Sequence, residues 1–264
     1  MAKNEIATVD TMFEGAVMDV RPDFLKDTAR GSEQVGVNEL TLPRLSIIQD
    51  ISPQRKKNEP EYIEGATEGM VFNTITHELF PSGVILIPVY MEKEFVIWKD
   101  RKKGGGFTGA YPTEAEANAA KCELENPNDY EVLDTHQHYC LMAKPGSTMD
   151  APILEEVVVS MSKSQMKVSR NLNTLVNLAG GDRFSKMYAF TVVQDENKNG
   201  DKFFNWKVQP KGFVSKPMYE RAEKTYEAVS SGLRKVEREA PVEKHVDQST
   251  GQGDAADDFV PNFG

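Results

Sequence analysis

The run from Gly83 to Lys99 constrains this chain most, because Val, Ile, Phe, Tyr and Trp dominate it. β-Branched and aromatic side chains pack well on a pleated surface, so such a run predicts strand. Residues Tyr90–Glu94 interrupt it. We therefore predict two strands, Val84–Met91 and Glu94–Trp98, joined tightly or through a bulge.

The rest of the ordered chain follows the same β-rich pattern. Further strands are predicted at Leu42–Ile48, Val71–Ile75, Val132–Ala143, Ile153–Met161, Lys186–Gln194 and Lys202–Gln209. Asn199-Gly200 between the last two is typical of a hairpin turn. Three helices are predicted: one opened by a capping box at Thr113–Glu116, one from Ser162 or Ser164 to about Leu178, and one from about Met218 to Leu233. Short strands without βαβ alternation favour a mainly β, α+β fold, an antiparallel barrel or sheet with helices attached.

Composition along the chain divides it into three parts. Residues 1–40 are polar and predict a mobile N-terminal arm, and residues 41–235 hold the predicted strands and helices. Residues 236–264 are polar, acidic and glycine-containing, so we predict a disordered acidic tail.

The formal charge does not by itself favour a nucleic-acid partner, because the chain has 31 Lys and Arg but 41 Asp and Glu, which gives a net charge of −10. The charge is, however, unevenly distributed. Residues 112–159 carry −8 and residues 236–264 carry −5, whereas residues 160–235 carry +7. Such asymmetry is a recognised indication of nucleic-acid interaction or of an acidic tail.

Aromatic residues are interleaved with Lys and Arg on the predicted β segments and on one face of the second helix. Single-stranded nucleic acid is bound by this chemistry, because bases stack on aromatic faces for about 1–3 kcal/mol each and cations neutralise the backbone. We expect roughly half of these aromatic residues to be packing residues instead. The predicted DNA-binding residues are Tyr90, Lys93, Phe95, Trp98, Lys99, Arg101, Lys102, Lys103, Phe107, Tyr111, Lys163, Lys167, Arg170, Phe204, Trp206 and Lys207.

Motifs of enzyme chemistry are not found. The Gly-rich stretch Gly104–Gly109 matches neither a phosphate-binding loop nor a dinucleotide fingerprint, and no nucleophile elbow occurs. We predict a protein without catalytic residues and without a cofactor.

A zinc site is the alternative for four residues, Cys122, His136, His138 and Cys140, three of which alternate along one predicted strand. Their spacing fits no standard structural zinc pattern. We favour a polar strand face with two histidines.

The C-terminal residues Asp257, Asp258, Phe259, Pro261 and Phe263 combine acids with aromatic residues and a proline. This end resembles the tail of single-stranded-DNA-binding proteins of replication, where acids precede a proline–phenylalanine tip. Asn262 and Gly264 depart from that pattern.

The body resembles a family of phage-encoded proteins of similar size that are assigned as single-stranded-DNA-binding proteins. The resembling stretches are Leu42–Leu45, Ile63–Ala66, Pro88–Trp98 leading to Gly104–Phe107, and Ser162–Arg170.

The resemblance implies an oligonucleotide-binding (OB) fold, no catalysis, and sequence-independent binding of single-stranded DNA in phage replication, recombination or repair. It also implies that the tail contacts replication or recombination enzymes such as a polymerase, helicase, primase or nuclease. Two alternatives stay open: a strand-annealing recombination protein, and a phage structural or accessory protein whose aromatic residues are simply core. A homo-oligomer is left open.

The expected location is the cytoplasm, that of the host if a phage encodes the chain. The longest apolar runs, Val84–Val89 and Phe95–Trp98, are far shorter than the roughly 20 residues that span a bilayer. No apolar signal segment opens the chain, and two cysteines make no disulfide framework. We expect a soluble protein without a membrane partner.

Overall fold

The computed structural model describes residues 30–35, 40–100, 103–196 and 200–232. The chain divides into two units, Met1–Leu40 and Thr41–Gly264, and every strand and helix described below lies in the second unit. The strands are β1 (Leu45–Ile47), β2 (Val71–Asn73), β3 (Leu79–Phe80), β4 (Val84–Lys99), β5 (Phe107–Tyr111), β6 (Tyr130–Ala143), β7 (Leu154–Ser162), β8 (Lys186–Glu196) and β9 (Lys202–Phe213). The helices are α1 (Glu114–Cys122), α2 (Met166–Ala179) and α3 (Lys216–Ser230), and short 3-10 turns lie at Pro53–Arg55, Pro127–Asp129 and Lys163–Gln165.

Two antiparallel sheets form the body. The small sheet has the order β1-β2-β3, and the large sheet has the order β7-β6-β4-β8-β9, with β5 paired to the far end of β4. Strands β7 and β9 stand at opposite ends of the large sheet, yet both contribute to one hydrophobic core, for instance through Val159 and Val208. The large sheet therefore curves around that core, and β1 and α2 add Leu45, Ile47 and Leu172 to it.

A bulge in β4 decides which of its side chains face the core. Pro88 pairs with Cys140 but Tyr90 pairs with Tyr139, so one extra residue is inserted into β4. Before the bulge Leu86 faces the core with Cys140. Because side chains alternate along a strand, the inserted residue exchanges the two faces beyond it.

The outer face of the large sheet is covered at one end by α3. Met218 and Ala222 of this helix are buried against Ile87 and Leu141, and Val229 is buried against Tyr139 and Val158. The first helix, α1, opens on Thr113, whose hydroxyl oxygen accepts the Glu116 N–H at 3.3 Å, which is the first of the two hydrogen bonds that a capping box predicts.

The mainly β, α+β architecture with antiparallel strands and three helices is confirmed. The structure differs from the prediction at three strands. β4 is one continuous strand where two are predicted, and β3 and β5 are strands that the sequence pattern does not predict. Among the residues that the structure describes, β7 and β9 do not pair, so the large sheet does not close into a barrel through its own strands. No described helix is long and apolar enough to cross a membrane.

A buried polar chain fastens α2 to β6. Arg183 Nη2 lies 3.0 Å from His138 Nδ1, and because arginine only donates, that nitrogen accepts. His138 Nε2–H then donates to Ser169 Oγ at 2.8 Å, which leaves the Ser169 hydroxyl to donate to His136 Nδ1 at 2.6 Å. Both histidines are therefore neutral in the folded protein, and His138 is fully buried.

This arrangement predicts acid sensitivity of the fold. Burial, with the charge of Arg183, holds the pKa of His138 well below its ordinary value, and burial also lowers the pKa of His136. Because the pKa of each histidine is lower in the folded state than in the unfolded state, the unfolded chain binds more protons at acidic pH. The free energy of unfolding should therefore fall as the pH drops below about 6.5, by up to about 1.4 kcal/mol per pH unit for each histidine.

Urea unfolding between pH 7.5 and pH 5 measures this slope. His138→Gln should flatten the pH dependence, whereas His77→Asn, a change at an exposed histidine, should leave it as in the wild-type protein. Equal slopes for wild type and His138→Gln would contradict the assignment.

Candidate nucleic-acid interface

A cleft of about 580 Å³ opens where the outer face of the large sheet meets the small sheet. Strands β4, β6 and β7 form its floor, the start of β9 forms one wall, and β1 with the following loop forms the other. The floor residues are Val96, Trp98, Thr135, Gln137, Ser160 and Ser162, and the β9 residues are Phe203, Phe204 and Trp206. The opposite wall includes Arg44, Ser46, Gln49, Ser52, Gln54, Glu59, Glu61 and Phe72, and Ser164 and Gln165 lie at one end.

The floor is polar because hydroxyl and amide side chains alternate with core residues on β6 and β7. Thr135 is the cross-strand partner of Ser162, and Gln137 is the cross-strand partner of Ser160, so all four share the outer face. Ser160 donates its hydroxyl hydrogen to Gln137 Oε1, and Gln137 Nε2 donates to Glu94 Oε1 at 2.8 Å. This chain of hydrogen bonds fixes the orientation of the Gln137 amide.

The bulge in β4 brings Trp98 to this floor. Beyond the bulge Val96 is paired with Leu133, and Val96, Trp98 and Leu133 pack together on the outer face. The Phe107 ring stands edge-on to Trp98 with 5.7 Å between ring centroids, and Phe107 is 45% exposed. Trp98 itself is only 8% exposed, so Phe107 is the exposed ring of the aromatic pair that borders the polar floor.

The β9 wall is also aromatic. Phe203 and Phe204 are half-buried, and the Phe204 ring packs on Gly69, where an added Cβ would meet the ring at 3.0 Å. Gly69 also has a φ of +80°, so a side chain at this position would strain the backbone as well as press on the Phe204 ring. Trp206 is 3% exposed and stands edge-on to Phe190 in the core, 5.9 Å between ring centroids.

One side chain joins the small-sheet wall to the β9 wall. Gln49 Nε2–H donates to the Phe204 carbonyl at 2.8 Å, and the Phe204 N–H donates to Gln49 Oε1 at 2.8 Å. The Gln49 amide therefore pairs with the main chain of β9 as a neighbouring strand would.

Three of the predicted lysines, Lys93, Lys103 and Lys163, are brought close to carboxylates. The carboxylates belong to β6, which pairs with β4, and to the turn before β6. Lys93 Nζ lies 3.4 Å from Asp134, Lys163 Nζ lies 2.8 Å from Glu131, and Lys103 Nζ lies 3.9 Å from Asp129. Lys99 Nζ lies over the Tyr130 ring, 5.8 Å from its centroid.

The other predicted residues are dispersed. Tyr90 packs between Tyr139 and Tyr226 beneath α3, so it is a packing residue, and Phe95 and Tyr111 are half-buried. The remaining cations are exposed: Lys167 and Arg170 on α2, and Lys207 on β9. Lys163 belongs to the 3-10 turn before α2, with a φ of +49°, and so does not continue the helical face of Lys167 and Arg170.

Predicted residues at two places lie outside the residues that the structure describes. These are Arg101 and Lys102 in the loop after β4, and the tail residues Asp257, Asp258, Phe259, Pro261 and Phe263.

The four residues weighed as a zinc set have other surroundings. His136 and His138 share Ser169, as described above, and Cys122 is exposed at the end of α1. Burial raises the pKa of the Cys140 thiol to about 12, whereas zinc binds the thiolate. Within the described ranges, no group of three or more His, Cys, Asp or Glu is arranged to hold a metal ion.

Sequence reasoning missed most of the cleft. Of the predicted residues, Trp98, Phe204 and Trp206 line it. The missed residues include Arg44, Gln49 and the polar floor of β6 and β7. A signal did exist: Thr135 with Gln137 on β6, and Ser160 with Ser162 on β7, are polar residues at a spacing of two, which places each pair on one face of its strand.

Comparison with known proteins gives one match. A family model described as Pam3 phage gp34-like protein matches residues 13–235, well over half of the 264-residue chain. Neither a curated protein nor a solved structure matches the chain.

The paired hydrogen bonds of Gln49 predict a measurable contribution to stability. Gln49→Ala leaves the Phe204 N–H and carbonyl without this partner and should lower the free energy of unfolding by about 1–3 kcal/mol in urea. Gln49→Glu should be at least as unfavourable, because a carboxylate has no hydrogen to donate to the Phe204 carbonyl.

The matched control is Gln209→Ala, an exposed glutamine on the same strand, which should change stability by less than about 0.5 kcal/mol. A change that small for Gln49→Ala would show that the two walls are held together by other contacts.

Proposed function

We propose that this chain, which belongs to the family of Pam3 phage gp34-like proteins, is a non-enzymatic protein that binds single-stranded DNA in the cleft. The observation that carries the proposal is the combination, in one cleft, of a polar floor on β6 and β7 with aromatic side chains on two sides. Unpaired bases need such a surface, because they offer a π-face for stacking and polar edges for hydrogen bonds.

The arrangement of the long strands supports this proposal. Numbered along the chain, β4, β6, β7, β8 and β9 become strands one to five, and their order in the sheet is 3-2-1-4-5 with α2 between strands three and four. This is the strand order of the OB-fold, a partly open Greek-key barrel. In that fold the face of strands two and three binds oligonucleotides, and the cleft floor here lies on β6 and β7.

The loops that border the cleft support the proposal as well. The connection from β4 to β6 contains β5 with the exposed Phe107, and the β8–β9 hairpin leads directly into Phe203 and Phe204. These are the two connections that in an OB-fold join strands one to two and four to five, and both contribute to oligonucleotide binding there.

We further propose that the acidic tail recruits replication or recombination enzymes. The tail follows α3, whose Val229 is buried against Tyr139 and Val158 next to the cleft floor. A terminal segment with Asp257, Asp258 and Phe263 offers charges and an aromatic anchor to a basic pocket on a partner.

Binding of oligo-dT tests the main proposal directly. The full chain should bind a 30-nucleotide dT strand at low salt more tightly than a duplex of equal length, and titration should change the fluorescence of Trp98. Phe203→Ala removes a half-buried ring from the β9 wall and should weaken binding about tenfold or more, the loss of one stacked base.

Phe213→Ala is the matched control. Phe213 is 63% exposed at the end of β9 and is not among the residues that line the cleft. The Phe213→Ala variant should therefore bind oligo-dT as tightly as the wild-type protein does. Absence of binding to single strands at 50 mM salt would refute the proposal. A truncation after Lys235 should retain oligo-dT binding and lose capture of a partner enzyme.

A further inference from the structure

We propose that the cleft recognises unpaired nucleobases and contributes little to binding of the sugar–phosphate backbone. The inference rests on the proposed function and names the part of the DNA strand that the cleft takes. Three independent features support it: the chemistry of the cleft lining, the ion pairs of three predicted DNA-binding lysines, and the sign of the charged side chains that line the cleft.

The lining is mostly neutral. Its polar groups are the hydroxyls and amides of Ser, Thr and Gln on the small-sheet wall, on the floor and at the Ser164–Gln165 end, beside Trp98, Phe203 and Phe204. Hydroxyl and amide groups both donate and accept hydrogen bonds, as base edges do, whereas a phosphate offers only acceptors. This lining therefore complements bases better than it complements phosphates.

Three of the lysines predicted to bind DNA already have ionic partners. Lys103, Lys163 and Lys93 lie within 4.0 Å of Asp129, Glu131 and Asp134. A phosphate that approached one of these lysines would have to displace or share a carboxylate, so each gives less affinity than an isolated cation gives. The acidic residues of β6 and of the turn before it thus offset part of the positive charge that the sequence places around β4.

The charged residues that line the cleft are mainly acidic. Glu59 and Glu61 are exposed on the small-sheet side, and Glu94 is buried beside the floor and bonded to Gln137. Arg44 is the cation among the described lining residues, 6% exposed where β1 begins. A phosphate backbone inside this cleft would meet more negative than positive charge.

Binding of two matched strands decides the question. The full chain is titrated at 50 mM salt with a fluorescein-labelled 30-nucleotide dT strand, and with a 30-unit abasic deoxyribose–phosphate strand that has the same charge. The dT strand should bind at least tenfold more tightly, since a single stacked base already accounts for about that factor. Equal affinities would overturn the inference while leaving single-strand binding itself established, whereas no binding to either strand would refute the proposed function.

The salt dependence of dT binding gives a second readout. Each phosphate contact in a single strand contributes about −0.7 to the slope of log K against log salt concentration. With Arg44 as the cation that lines the cleft in the described part of the chain and Lys93, Lys103 and Lys163 ion-paired, the slope should be no steeper than about −2. A steeper slope would overturn the inference, because it requires several phosphates to be neutralised.

Variants of the cleft show which residues cause the preference for the dT strand over the abasic strand. Phe203→Leu keeps an apolar side chain on the wall and should lower the dT preference over the abasic strand several-fold, whereas Phe213→Ala should keep it. If Phe203→Leu and Trp98→Ala both retain the full preference, the bases are recognised elsewhere and the inference fails.

Discussion

The organisation of this protein depends on the unpaired seam between β7 and β9. Both strands face the same core, yet among the described residues they form no ladder with each other. Residues 43–49 span the seam instead: the Pro43 carbonyl accepts the Val158 N–H of β7 at 2.9 Å, and Gln49 pairs with Phe204 of β9. Backbone groups at the seam are thus satisfied, as buried ones must be, by a short segment rather than by a neighbouring strand. The space left between that segment and the sheet is the cleft.

A second constraint, the bulge after Pro88, gives the cleft its chemistry. With regular alternation Trp98 would share a face with Leu86, which lies in the core. The extra residue moves Trp98 and Val96 to the outer face, next to the polar residues of β6 and β7. A single inserted residue therefore provides an aromatic border for the polar floor.

Local composition was enough to predict the three helices and most of the strands, and was not enough to predict the short strands β3 and β5 or the site. The β-rich run, the capping box at Thr113 and the hairpin at Gly200 depend on local chemistry, so the sequence reports them. The site depends on long-range pairing. Lys93 and Lys163 look like free cations in sequence, but β6 lies beside β4 and brings Asp134 and Glu131 to them. Gln49 is 155 residues from Phe204, and no local pattern indicates that contact.

Photo-crosslinking tests the central claim, that this cleft holds the single strand, most directly. A dT strand carrying 4-thiothymidine is bound to the full chain, irradiated and digested, and the crosslinked residues are identified by mass spectrometry. If the cleft holds the strand, crosslinks should form at Trp98, at Phe203 or on the floor strands β6 and β7. Crosslinks confined to exposed cations outside the cleft, such as Lys167, Arg170 or Lys207, would show that the strand binds elsewhere.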